Sequence, residues 1–144
     1  MRKFFAKLVV LSFFLITPAY ALEENNLKAI FTSQANTYCQ LFENRDADQI
    51  SAMFQEKAEI TLPSGVRLIG REKIKNYLEE MFREVCPLPV EMKVTSVKEL
   101  VPDKVVLQCG ETTVKGDLRP STRDKALHIK EKDVWKIAWV EESA

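Results

Sequence analysis

The sequence predicts an α+β domain in which a curved, mostly antiparallel sheet forms a cone packed against three N-terminal helices, in the order α-α-β-β-α-β-β-β-β. Three observations lead there. Apolar residues recur at spacings of three and four in three early stretches; they alternate with period two between the second and third of these; and every candidate element after Pro89 alternates. Helices at the front and strands behind pack as one layer on another, and an antiparallel meander curled around a helix leaves a pocket at its open end.

The first residues, "MRKFFAKLVVLSFFLITPAYALEEN", carry Arg2, Lys3 and Lys7, an apolar run from Leu8 to Ile16, and small residues at Ala19 and Ala21. This is the pattern of a secretory signal peptide over residues 1–21, and the apolar run is short for a bilayer that needs about 20 such residues. The expected mature chain, residues 22–144, is one domain, exported to the periplasm or secreted, with no membrane attachment after cleavage.

Leu27, Ile30, Phe31, Ala35, Tyr38, Cys39 and Phe42 form the apolar stripe of a first helix over about residues 26–43, with Asn25 or Asn26 available as its cap. Asp46 followed by Gln49 is a variant capping box opening a short second helix whose buried side is Ile50, Met53 and Phe54. Ala58, Ile60 and Leu62 then alternate with Glu59 and Thr61, Pro63-Ser64-Gly65 turns the chain, and Val66 to Ile69 completes a hairpin.

After Gly70, the residues Ile74, Tyr77, Leu78, Met81, Phe82 and Val85 mark a third amphipathic helix, stopped by Pro87. Val90, Met92 and Val94 begin the first of four strands, with turns at Pro102-Asp103 and Glu131-Lys132-Asp133 and a polar loop, "KGDLRPSTRDK", before the fifth strand overall. Trp135, Ile137 and Trp139 alternate with Ala138 and Val140 in the closing strand.

The mature chain holds 18 Lys and Arg against 21 Asp and Glu, with no basic stripe, so nothing in its charge supports nucleic-acid binding. The cysteines are Cys39, Cys86 and Cys109. A hairpin turning at Pro102-Asp103 sets Cys109 opposite about residue 96, roughly 30 Å of strand from Cys86. That leaves Cys39 with Cys86 or with Cys109 as the disulfide, or three unpaired thiols. No C-x-x-C pair is present, and neither a metal nor a cofactor is expected.

The stretches "ENRDADQISAMFQEKAEI" and "PSGVRLIGREKIKNYL", together with the closing "DVWKIAWVEES", resemble the nuclear transport factor 2-like superfamily, in its SnoaL-like and ketosteroid-isomerase-like branch. The likeness covers nearly all of residues 27–143 and implies the cone fold; it does not imply one function, since such folds host many. In the isomerases of that branch, a first-helix tyrosine eight residues before the aspartate of the second helix donates a hydrogen bond to a developing enolate. Tyr38 stands in that relation to Asp46. The general base of those enzymes, a carboxylate before the Pro-x-Gly turn, is replaced here by Leu62. Their second donor, a neutral acid on the fifth strand, has no counterpart around Ala126-Leu127-His128, because Asp124 falls in the predicted loop.

Tyr38 and His128, the one histidine, are the candidates for chemistry; Tyr38, Phe42, Phe54, Leu62, Trp135 and Trp139 are the candidates for a pocket wall. By alternation His128 faces away from Leu127 and Ile129, so it lines the cone only if that pair is not the core side. Glu111 and Arg67 are candidates for a polar mouth. With the base position empty, the first expectation is an exported module that binds a small apolar molecule or forms a homodimer. The second is an isomerase, dehydratase or hydrolase using Tyr38 and His128, and the third an assembly or secretion component.

Overall fold

A computed structural model describes residues 17–84, 89–116 and 121–144. The charged and apolar parts of the expected signal peptide, and Val85, Cys86 and Pro87, lie outside the described residues. Three helices are α1 (Thr17–Glu43), α2 (Ala47–Ala52) and α3 (Arg71–Glu84). The strands are β1 (Phe54–Thr61), β2 (Arg67–Ile69), β3 (Val90–Val101), β4 (Val105–Val114), β5 (Thr122–Glu131) and β6 (Val134–Ser143). They form one sheet in the order β2-β1-β6-β5-β4-β3, antiparallel at every pairing except β1 with β6. No helix among the described residues is long and apolar enough to cross a membrane.

α1 runs on through Asn25 and Asn26, so neither caps it. Asp46 does cap α2: its Oδ1 accepts from the Gln49 backbone N–H at 3.0 Å, and the Gln49 side chain returns a 2.7 Å bond to Oδ2. α2 is shorter than its apolar spacing suggests. Phe54 already belongs to β1, and Met53 closes the helix through a 3.0 Å bond to the Ile50 carbonyl. The β1–β2 hairpin closes through the Gly65 N–H on the Leu62 carbonyl and the Leu62 N–H on the Val66 carbonyl, each 2.8 Å.

Two clusters of buried side chains hold the layers together. One joins α2, α3 and β1 through Ile50, Phe54, Ala58, Ile74, Leu78 and Phe82, with Ile137 from β6. The other joins α1 to β3 and β4 through Phe31, Ala35, Val94, Val97 and Val106.

Three corrections follow from strand register. Asp124 is not in a loop: β5 begins at Thr122, so Asp124 pairs with Gly110 on β4 and Glu142 on β6. β6 carries a bulge, its register stepping from Leu127↔Trp139 to His128↔Ile137 with Ala138 as the extra residue. One added residue inverts every side chain beyond it, so Ile137 and Val140 share the inner face and Trp139 turns to the outer face beside Leu127. Finally, Cys39 and Cys109 are not bridged to each other, while the alternative pairing of Cys39 with Cys86 lies outside the described residues. Cys39 is buried on α1 near the Met92 backbone, whereas Cys109 alternates outward between the inward Gln108 and Gly110, so the sheet itself separates the two thiols.

Candidate functional site

Between the two clusters lies a cavity of about 280 Å³. α1 gives it Tyr38 and Phe42, one helical turn apart, and α3 gives Ile74, Tyr77 and Leu78. Period two fixes the sheet's share: Ile60 and Leu62 from β1 and the turn after it; Gln108, Thr112 and Val114 from β4; Thr122, Asp124, Ala126 and His128 from β5. β6 adds Ile137 and then, past its bulge, Val140 and Glu142. Most of this wall is apolar. The polar groups gather at its two ends.

At the outer end the last turns of β4 and β6 meet the start of β5. Asp124 and Glu142 are direct cross-strand neighbours, and the Thr112 hydroxyl donates to Asp124 Oδ2. Burial raises the Asp124 pKa against the pull of that hydrogen bond. Burial, and then the charge of Asp124, push Glu142 up to about 7. Across the cavity, burial raises Tyr38 far above the ordinary phenol range, with Glu142 and Asp124 adding to the effect. Tyr38 is therefore a neutral phenol facing a carboxyl pair that is only partly ionised near neutral pH. Its ring stacks on Phe42 at 6.3 Å, and Phe42 meets Phe82 edge-on at 5.2 Å.

At the inner end His128 is 3% exposed. Its Nε2 lies 2.6 Å from Gln108 Oε1, an acceptor, so the ring donates from Nε2 and Nδ1 is left as a buried lone pair without a partner among the described residues. Burial lowers the His128 pKa to about 4, which keeps the imidazole neutral. Phe31 packs over it at 4.4 Å and separates it from Trp135, itself 5.4 Å from Phe31.

The structure thus brings Tyr38, Phe42, Phe54, Leu62 and His128 to one cavity and leaves both tryptophans out of it. Trp135 is on the inner face but belongs to the second cluster, with Lys130 Nζ 5.6 Å above its ring; Trp139 is on the outer face. Glu111 is exposed on the outer side of β4, and Arg67 pairs with Glu59 at 2.5 Å, so neither frames the mouth. Alternation alone did not reveal Asp124 and Glu142. The available signal was the run Thr122, Asp124, Ala126, His128, a second-residue series continuing into the supposed loop.

A cone of sheet with helices laid across its concave side and a cavity opening at the strand ends defines a class of small α+β domains. No family model matches the chain, and no curated protein matches it in sequence. Solved structures do. A nuclear transport factor 2-like protein of unknown function from Shewanella oneidensis superposes with a TM-score of 0.69 at 13% identity, over 83% of this chain and 99% of that one. A ketosteroid isomerase-like protein from Erwinia carotovora atroseptica gives 0.65 at 15% identity, over 81% and 94%. A domain of unknown function with a cystatin-like fold from Nostoc punctiforme gives 0.69 at 16% identity, over 80% and 75%. The fold is that of the nuclear transport factor 2-like superfamily, as the sequence motifs imply.

Proposed function

We propose that this chain is a binding module for a small, mostly apolar molecule held in the cone. The observation that carries the reading is the cavity of about 280 Å³, walled by aliphatic and aromatic side chains and polar only at its two ends. The isomerase-type reaction is not assembled here. Leu62 holds the position of the base, and the His128 ring is neutral and engaged by Gln108. Asp124 stands on the inner face of the fifth strand, where the sequence pattern had placed a loop, and shares the cavity with Tyr38. Native mass spectrometry of freshly purified protein tests the reading: a retained molecule of a few hundred daltons is expected, and an empty cavity that also takes up no added toluene overturns it.

A second reading concerns the outer face. Leu107, Leu127 and Trp139 are cross-strand neighbours in one row, half-buried and, among the described residues, covered by no helix. We propose that this row pairs with its copy in a homodimer, in which case Leu127→Glu converts the dimer to a monomer in analytical ultracentrifugation. Export rests on the pattern of residues 1–21 alone. N-terminal sequencing of the protein recovered from its native compartment checks it, with Leu22 as the expected first residue.

A further inference from the structure

We propose that the cavity selects a protonated amine with an apolar body, the ammonium seated between Asp124, Glu142 and Tyr38. This deepens the binding reading above and rests on it. Among the described residues the charge-bearing side chains of the wall are Asp124 and Glu142; no lysine or arginine lines it. Two neighbouring carboxyls in an apolar wall without a counter-cation are an unfavourable arrangement unless something positive joins them. The wall is therefore short of cations, and a ligand that complements it brings one.

The chemistry narrows the cation. An ammonium has three N–H donors, and Asp124, Glu142 and the Tyr38 oxygen offer it three acceptors from three elements. Tyr38, Phe42 and Tyr77 line the same cavity, and aromatic rings attract a cation. A calcium ion calls for six to eight oxygen ligands, and among the described residues no group of three His, Cys, Asp or Glu side chains is placed to hold a metal. The aliphatic middle of the cavity, at Ile60, Ile137 and Val140, accepts the ligand's hydrocarbon.

Proton linkage follows. Glu142 faces Asp124 on β5, Tyr38 on α1 and Tyr77 on α3, and each of these is neutral or negative. A bound ammonium favours the ionised carboxylate, so binding expels a proton wherever Glu142 is still protonated. With Glu142 at about 7 in the free protein, affinity rises between pH 6 and pH 8, by about tenfold if only the ionised form binds.

The experiment is isothermal titration of the purified protein with 2-phenylethylamine, 2-phenylethanol and 3-phenylpropionate, at pH 6 and pH 8, in two buffers of different ionisation enthalpy. The amine stays protonated at both pH values. At pH 8 it is expected to bind at least tenfold more tightly than the alcohol, with the carboxylate weakest, and to release a proton at pH 6. Glu142→Gln and Asp124→Asn reduce the amine to the level of the alcohol without weakening the alcohol, and the comparison among probes on the unaltered protein stands even if a variant misfolds. Equal binding of amine and alcohol, or preference for the carboxylate, overturns the amine and leaves the apolar cavity intact. Failure of all three probes and of toluene overturns both readings.

Discussion

His128 and Glu142 line one cavity, and burial moves their titrations in opposite directions. His128 is lowered from 6.5 to about 4, so between these values the unfolded chain binds the proton that the folded one refuses. Its contribution makes stability fall as pH drops from about 6.5 toward 4. Glu142 is raised from 4.5 to about 7, so the folded chain holds the extra proton, and its contribution makes stability fall as pH rises through that window. Urea midpoints measured at pH 4.5, 5.5, 6.5 and 7.5 separate the two. Relative to the unaltered protein, His128→Gln is expected to lose less stability on acidification, and Glu142→Gln to lose less on going alkaline. A histidine that is in truth solvated gives no such difference. Which of these groups the sequence disclosed depended on their neighbours. Tyr38 was legible because it sits inside a helical apolar stripe. His128 was ambiguous because Leu127 and Ile129, its apolar flanks, face outward on a sheet whose inner side is partly polar at this strand.

Helices and hairpins were legible wherever one face is apolar and the other wet, as in α3 with Ile74, Leu78 and Phe82 buried. β5 was cut short because its inner face opens with Thr122 and Asp124, polar residues that serve a cavity and look like a loop when read as letters. The bulge at Ala138 left no mark on the alternation of Trp135, Ile137 and Trp139, since an extra residue is a property of the pairing and not of one strand. Two substitutions probe how elements are pinned. α2 has only six residues, so its cap is a large part of what holds it, and Asp46→Ala is expected to cost about 1 kcal/mol in chemical denaturation. Gly110 on β4 lies against β3 so closely that a Cβ there would stand 2.8 Å from the Lys93 carbonyl oxygen, beside the register step between Val94 and Ser96. A backbone atom cannot swing aside as a side chain can. Gly110→Ala is therefore expected to destabilise by about 1 to 3 kcal/mol, the range of an overpacked site.

The cavity exists because two separate clusters, one under α2 and α3 and one under α1, close the cone from different sides without meeting. Ala126 lies in the wall between them, opposite Gln108 and Val140, and it is the smallest inward side chain of β5. Enlarging it discriminates a true hollow from a packed seam. In a close-packed interior, Ala126→Leu would force neighbours off their rotamers and cost about 1 to 3 kcal/mol. In a hollow, the added carbons gain up to about 0.8 kcal/mol each by leaving water, against about 0.5 to 1 kcal/mol of lost rotamer freedom. The expected outcome is a variant about 1 kcal/mol more stable in urea that has lost most of its affinity for 2-phenylethylamine, since the hydrocarbon and the new side chain compete for one space. Stability and binding must then move in opposite directions. A loss of both would mean that the cone is packed shut at Ala126, and that whatever meets Asp124 and Glu142 does so at the surface.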